Sequence, residues 1–395
     1  MINKHIVLGI TGGIAAFKAA SLVTSLNKQG YEVQVLMTKS ACEFITPLTF
    51  ETLTKKKVYV DVFDKSEDVL VHHIEIAKWA DLFVVAPATA NTIAKMANGF
   101  ADDMLTSSFL ASTCPKLIVP SMNTHMLENA MTQENLKKLV SYGISVMESD
   151  TGLLACGDVG KGKFPESEAI IEEMERLLVR EKDLLGKTVL ISAGPTLEAL
   201  DPVRYLSNHS SGKMGYALAK EARNRGAKVY LVSGPVRLGQ PKDMEVIPVQ
   251  SAKEMADAVF SHFEQADITI MVAAVADYRP LEIKEEKIKK QDSTWTLTLE
   301  RTTDILATLG EKKKATQILV GFAMETENLL ENAQAKLMKK NCDYLVANSI
   351  REVGSGFAGD TNHGYILSKS TQVDLGLLTK KELAKKIIDQ ISKGD

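Results

Sequence analysis

The chain has 395 residues, of which 45% are apolar and 25% charged, and a formal net charge of −3. That length fits about two to three domains, the composition is that of an ordinary globular protein, and so small a charge gives no support for nucleic-acid or membrane-surface binding. Apolar runs fall short of the roughly 18 residues of a membrane span, and four scattered cysteines (Cys42, Cys114, Cys156, Cys342) argue against a disulfide framework or zinc site and fit a reducing cytoplasm.

The first half reads as strand–helix–strand. Residues 5–10 are a short apolar run followed at once by Thr11-Gly12-Gly13, which predicts a first strand and not a signal peptide. A helix is predicted over 14–28, stopped by Gly30, and strands over 33–37, 81–87 and 116–120. In doubly wound sheets the ligand lies beyond the carboxyl ends of the strands. The segments at those ends are small and polar: Gly12 and Gly13, then Thr38-Lys39-Ser40, then Ala88, Thr89 and Asn91, with Thr106 opening a further helix. Together they could line one pocket for a flat, phosphorylated cofactor, the bland alternative being a set of tight turns. Three residues are of reactive type. His73 is either structural or a proton acceptor near neutral pH. Asn123 directly follows a strand and can bind a carboxylate. Cys156 lies in the glycine-rich stretch 154–162, which reads as a flexible lid where exposure favours chemistry over packing.

A charged amphipathic helix over 170–185 separates the halves, with the cut near Asp183, giving domains 1–182 and 183–395. The second half repeats the pattern. Strands are predicted over 188–193, 228–233, 267–275, 317–321 and 343–347, and helices over 216–226, 251–265, 303–309 and 327–341. The fold class is therefore α/β, two doubly wound parallel-sheet domains. The run from Asp201 to Gly215 is the most informative stretch. It is longer than most strand-to-helix connections. It carries Arg204, Asn208, Ser211, Gly212 and Lys213, groups suited to an anionic ligand at a helix start, without the order of a Walker loop. Residues 282–291 are dense in Lys and Glu and read as a mobile loop.

These segments together resemble one family over nearly the whole chain, the bacterial bifunctional phosphopantothenoylcysteine decarboxylase/phosphopantothenate–cysteine ligases of coenzyme A synthesis. The matching runs are the glycine-rich start, His73, residues 87–92, 120–126 and 155–157 in the first half, and 201–215, 273–278, 287–290 and 321–323 in the second. The resemblance implies a flavodoxin/Rossmann-like flavin-containing cysteine decarboxylase domain followed by a Rossmann-like ligase domain. It implies that the ligase joins 4′-phosphopantothenate to L-cysteine with CTP and Mg²⁺ through an acyl-cytidylate. Ser211, Gly212, Met214, Ala274, Asp277, Lys287, Lys289, Phe322, Lys336 and Lys340 would then hold CTP, with Asp277 also the partner of Mg²⁺. Lys287 would assist activation, Asn208 would hold the acyl-cytidylate and Arg204 would serve the second half-reaction.

In the first half the resemblance implies FMN-dependent oxidative decarboxylation of 4′-phospho-N-pantothenoylcysteine to 4′-phosphopantetheine. His73 would be the base, Asn123 the carboxylate binder and Cys156 the proton donor, with Gly12, Gly13, Ser40, Ala88, Thr89, Asn91 and Thr106 at the FMN. It also implies a homo-oligomer, trimeric in the first half and dimeric in the second, combining to a dodecamer. Two departures from the family pattern stand out: Gly13 replaces a serine, and Lys163-Phe164 replace Arg-Met. Rival readings are a flavin-binding regulatory subunit, a flavin prenyltransferase or peptide-cysteine decarboxylase, and a dinucleotide-dependent oxidoreductase. The last lacks its G-x-G-x-x-G fingerprint.

Overall fold

The computed structural model describes residues 4–63, 72–155, 157–179, 181–289, 295–325, 328–349 and 359–394. The chain divides into two compact units, Met1–Arg180 and Glu181–Asp395.

The first unit runs β1 (His5–Ile10), a 3-10 turn (Ile14–Lys18), α1 (Ala19–Lys28), β2 (Glu32–Met37), α2 (Lys39–Cys42), α3 (Pro47–Thr54), α4 (His72–Trp79) and β3 (Leu82–Ala88). It continues through α5 (Ala90–Ala97), α6 (Met104–Ala111), β4 (Lys116–Pro120), α7 (Thr124–Glu128), α8 (Ala130–Ser141), β5 (Ser145–Val146), β6 (Asp150–Leu153), β7 (Val159–Lys163) and α9 (Ser167–Leu178). Five strands form a parallel sheet in the order β2-β1-β3-β4-β5. Successive side chains of a strand point to opposite faces, and the sequence obeys this. Ile6, Leu8 and Ile10 pack with Leu22, Phe50 and Ile170 of α1, α3 and α9. Val7 packs on the other face with Ile76, Ile93, Leu105 and Leu139 of α4, α5, α6 and α8. A strand buried on both faces must be apolar throughout, which is why β1 and β3 show no polar alternation.

The second unit runs β8 (Thr188–Ala193), β9 (Leu197–Ala199), β10 (Tyr205–Ser207), α10 (Lys213–Asn224), β11 (Lys228–Ser233), β12 (Glu245–Pro248), α11 (Ala252–Phe263), β13 (Ile268–Met271) and β14 (Tyr278–Pro280). It ends with β15 (Leu299–Arg301), α12 (Ile305–Lys312), β16 (Ile318–Glu325), α13 (Leu329–Lys339), β17 (Tyr344–Ser349), β18 (Thr361–Leu367), β19 (Gln372–Thr379) and α14 (Lys380–Lys393). The sheet order is β12-β11-β8-β13-β16-β17-β18-β19, parallel through β17 and antiparallel at β18 and β19. Helices α10 and α14 cover one face through Leu218, Ala222, Leu383 and Ile387. Helices α11, α12 and α13 cover the other through Met255, Leu309 and Leu337.

The structure corrects several expected boundaries. The helix expected over 14–28 opens as a 3-10 turn, with the Ala16 N–H donating to the Gly13 carbonyl. The helix expected over 216–226 begins at Lys213. The strand expected over 267–275 stops at Met271, because the N–H groups of Val272 and Ala273 donate to Ser192 Oγ and leave the ladder. The strand expected over 317–321 extends to Glu325. The described residues of the lid-like stretch 154–162 belong to an antiparallel hairpin of β6 and β7. The long loop after β8 contains the β9–β10 hairpin. Beyond Ala347 the sequence reading named no element, whereas the sheet gains β18 and β19 and closes with α14.

Candidate active sites in the two units

In each sheet the strand order reverses beside the first strand, between β1 and β3 and between β8 and β13. Ligands of open α/β sheets bind at this reversal, outside the carboxyl ends of the strands. In both units hydrogen bonds tie the two loops that meet there. Buried Thr11 donates its hydroxyl to the Pro87 carbonyl at 2.7 Å and accepts the Thr89 N–H at 2.9 Å. In the second unit the Ala274 N–H donates to the Gly194 carbonyl at 2.9 Å, and the Ala276 N–H donates to Thr196 Oγ1 at 3.0 Å.

Around Thr11 the first unit gathers most of the expected cofactor residues. A Cβ on Gly12 would lie 2.3 Å from the Cβ of Ser40 and 2.8 Å from its carbonyl carbon, so only glycine lets α2 approach β1 this closely. Gly13 is extended, and a Cβ there would meet only Thr89 Cγ2, at 3.5 Å. Ser40 is exposed, and its hydroxyl has no partner among the described residues. Thr89 caps α5 by accepting the Thr92 N–H, next to Ala88 and exposed Asn91. Thr106 is buried, and its hydroxyl is committed to a capping box with Asp103.

The hairpin β6–β7 is fastened to the segment after β4. The Met122 N–H and Ser121 Oγ both donate to the Gly162 carbonyl, and Thr124 Oγ1 donates to the Lys161 carbonyl at 2.7 Å. Asn123 caps α7 through its Oδ1, and its Nδ2 donates to Asp158 at 3.3 Å. Cys156 lies outside the described residues. Its neighbours Ala155 and Gly157 form the hairpin tip, closed by the Gly157 N–H donating to the Leu154 carbonyl. The attachment therefore brings Asn123 and the tip of the hairpin to one place. In the departure at Lys163-Phe164, Phe164 is buried in the core, and the aliphatic part of Lys163 lies over Gly152. His73 is the second residue of α4 and is partly exposed; no hydrogen bond joins it to these loops among the described residues. The other cysteines fit packing. Burial pushes the Cys342 thiol up to about 12 and raises those of Cys114 and Cys42.

The second unit holds a two-lobed cleft. One lobe, of about 460 Å³, is lined by Asp277, Arg301, Asp304, Phe322, Lys336 and Lys340. The other, of about 350 Å³, is lined by Asn208, Ser211, Gly212, Met214, Ala274 and Lys380, and shares Asp277, Phe322 and Lys336 with the first. Gly212, at φ +75, is the N-cap of α10, a conformation that favours glycine. Asn208 Nδ2 donates to the Ala274 carbonyl at 2.9 Å, which holds the 201–212 loop to the segment after β13. Lys336 Nζ donates to the Phe322 carbonyl at 3.1 Å, and Lys340 is ion-paired to Asp304. Burial would raise the Asp304 pKa, but hydrogen bonds from Lys340 and the Ala307 N–H outweigh it and hold the carboxyl low. The Asp277 carboxylate is exposed and has no hydrogen-bond or ion-pair partner among the described residues. Among the described residues no group of three or more His, Cys, Asp or Glu is placed to hold a metal.

Lys287 and Lys289 line neither lobe. They sit on an exposed segment beside the β9–β10 turn. Buried Asp201 builds that turn, its Oδ1 accepting the N–H groups of Val203 and Arg204 at 2.8 Å each. Burial alone would raise its pKa. The N–H groups of Val203, Ile288 and Arg204, with the Arg204 guanidinium, reverse that and hold the carboxyl well below the ordinary range. Lys380, Asn348, Asn362, Arg301 and Asp304 line the cleft but were missing from the sequence reading, whereas Lys213, also on its wall, belongs to the run that reading singled out. Asn362 and Lys380 come from β18 and α14 respectively, elements that reading did not name. Burial alternates along Thr361–Leu367, but residue type does not, because polar Asn362 and Gly364 take buried positions, so the run gave no strand signal in the sequence.

Fold and sites together define a two-unit α/β enzyme with a candidate site at the sheet reversal of each unit. Residues 1–179 match the Flavoprotein family and residues 184–394 the DNA/pantothenate metabolism flavoprotein C-terminal domain. The chain is 48% identical over 394 residues to the coenzyme A biosynthesis bifunctional protein CoaBC of Bacillus subtilis, covering 99% of this chain and 97% of the relative. It is 45% identical over 393 residues to the protein of that name from Vibrio cholerae, covering 99% and 98%. A solved C-terminal domain of such a bifunctional protein is 45% identical, covers 54% of this chain and 97% of its own, and has a TM-score of 0.47. The chain belongs to the family of bifunctional coenzyme A biosynthesis proteins, with a flavoprotein decarboxylase unit followed by a ligase unit.

Proposed function

We propose that residues 183–395 ligate 4′-phosphopantothenate to L-cysteine with CTP and Mg²⁺, and that residues 1–182 decarboxylate the product with FMN to 4′-phosphopantetheine. The observation that carries this reading is the tying of the loops at both sheet reversals, which gathers the expected flavin-binding segments around Thr11 in the first unit and supports Asn208 beside the Ala274 segment in the second.

In ligation, a carboxylate oxygen of the acid attacks the α-phosphorus of CTP, pyrophosphate leaves, and the cysteine amine then displaces CMP. Lys336 and Lys340 are cations on the cleft wall, and Asp277 faces both lobes as the magnesium partner. Lys287 and Lys289 supply further cations for the charge that builds on the phosphates, a term of the kind that dominates such steps. Ser211, Gly212 and Met214 border the nucleotide, with Phe322 and Ala274 against the base. Asn208 keeps its Oδ1 without a donor among the described residues, available to an acyl-cytidylate or the incoming amine.

For decarboxylation, Gly12, Gly13, Ser40, Ala88, Thr89 and Asn91 would hold FMN, with Thr106 fixing the helix behind them. The fit rests on the Gly12 approach to Ser40 and on the room beside Gly13. When bound, FMN supplies the electron sink that an unactivated carboxylate lacks. Asn123 binds the substrate carboxylate, His73 takes the proton in the oxidation, and Cys156 returns one.

We further assign the protein to the cytoplasm and to a homo-oligomer, trimeric in the first unit and dimeric in the second, combining to a dodecamer. The exposed apolar side chains of Val203, Tyr205, Tyr278, Leu281 and Leu299 support an interface on the hairpins of the second unit.

The test of the ligase reading is Asn208→Asp, which should accumulate the acyl-cytidylate when given 4′-phosphopantothenate and CTP. Normal turnover in that variant, or equal wild-type rates with ATP and CTP, would contradict it.

A further inference from the structure

Ile288 stands between the two lysines of the exposed segment, and both of its backbone polar groups are held. Its N–H donates to Asp201 Oδ2 at 3.1 Å, and its carbonyl accepts Arg204 Nη2 at 2.5 Å. Arg204 is itself held by the same carboxylate oxygen, through Nε at 3.0 Å and Nη2 at 2.7 Å. Four residues earlier the Lys284 N–H donates to the Leu200 carbonyl at 3.0 Å. On its other side the Arg204 guanidinium lies 5.9 Å from the ring centre of Trp295. A stretch so rich in charge would not hold one position by packing, and these bonds supply what packing does not.

We propose that Asp201 and Arg204 form a clamp on Ile288 that sets the positions of Lys287 and Lys289 for ligation. This makes Asp201 a positioning residue and rests on the reading of the two lysines as phosphate-binding cations. The two carboxylate oxygens divide the work. Oδ1 builds the β9–β10 turn from the Val203 and Arg204 N–H groups, and Oδ2 reaches the Arg204 guanidinium and Ile288. The lysine side chains stay free to move, while the backbone that carries them does not. Reading Arg204 this way also gives it a task that needs no contact with substrate.

The division of labour supplies a specific test. Asp201→Asn can keep its carbonyl oxygen on the turn, but it then sets an amide NH₂ against the Arg204 and Ile288 donors. The full-length variant should lose roughly tenfold to a hundredfold in kcat/KM for CTP, mostly through KM, as hydrogen bonds to a charged group are lost. Decarboxylation of supplied 4′-phospho-N-pantothenoylcysteine should stay at the wild-type rate. Hydrogen–deuterium exchange should quicken in a peptide covering 285–289. Lys287→Gln and Lys289→Gln should cost less in the Asp201→Asn background than in wild type, because residues acting as a unit are non-additive. If Asp201→Asn does not fold, Arg204→Lys keeps the carboxylate and the turn while removing the fork, and should show the same pattern. Full ligation by both variants, or loss of ligation with unchanged exchange at 285–289, or strict additivity with the lysine variants, would overturn the clamp. Wild-type ligation by Lys287→Gln and Lys289→Gln, with exchange still quickened in Asp201→Asn, would instead overturn the reading of the lysines.

Discussion

Gly12 and Gly13 are adjacent and look alike in the sequence, yet the structure gives them different burdens. At Gly12 a methyl group would collide with the backbone of Ser40. Gly12→Ala should therefore cost about 1–3 kcal/mol and release the flavin, read by thermal unfolding and by loss of yellow colour on gel filtration. At Gly13 the backbone is extended and a side chain meets only an ordinary contact. Gly13→Ser should fold normally and bind FMN several-fold more tightly through the added hydroxyl; unchanged affinity by fluorescence titration would remove this position from the flavin phosphate site. On the ligase side, Lys336 donates to the Phe322 carbonyl inside the cleft. Lys336→Met should raise KM for CTP about tenfold or more while decarboxylation of supplied substrate is unaffected. Such residues were legible because short motifs carry them. Asp201 was legible only as the first letter of a motif, since its contact with Ile288 spans 87 positions. Lys380 gave no signal at all, because its place on the cleft depends on strands that were not anticipated.

At the scale of elements, one device recurs three times. Asp81, directly before β3, accepts the His5 N–H at the start of β1 and pairs with Lys4. Asp267, before β13, accepts the Thr188 N–H at the start of β8 and pairs with Lys187. Asp343, before β17, accepts the Leu319 N–H of β16 and pairs with Lys313. Each carboxylate pins the start of the neighbouring strand and so sets parallel register. Burial raises the Asp81 pKa, but the His5 N–H and Lys4 more than reverse it; at Asp267 the Thr188 N–H and Lys187 outweigh burial. Both folded pKa values are thus depressed. Their contribution to stability is complete above the unfolded carboxylate pKa of about 3.9, and it is lost as pH falls through the lower folded values. Asp81→Asn and Asp267→Asn should each cost about 1 kcal/mol at pH 7, and the deficit should shrink toward pH 2 in denaturant titrations. An undiminished deficit at low pH would assign the effect to packing. The parallel strands themselves were readable as unbroken apolar runs. The end of β13 was not, because Val272 and Ala273 are as apolar as a strand, and what removes them is the distant hydroxyl of Ser192.

Over the whole molecule, two sheets of different strand order place their loops by the same rule, each at the reversal beside its first strand. The repeated strand–helix pattern made this organisation readable from the sequence, while the antiparallel edge of the second sheet lay beyond a reading tuned to parallel strands. Because the product of one unit is the substrate of the other, each activity serves as the internal control for variants in the other unit. The proton-donor role of Cys156 can be read in the same mixture. Cys156→Ser should still ligate and decarboxylate but stop at the ene-thiol, and full conversion would refute the role. The central claim is tested most directly by mass spectrometry of the purified full-length protein with 4′-phosphopantothenate, L-cysteine, CTP and Mg²⁺. 4′-Phosphopantetheine should appear together with CMP and CO₂. A yellow, folded protein that leaves 4′-phosphopantothenate unconsumed would contradict the claim.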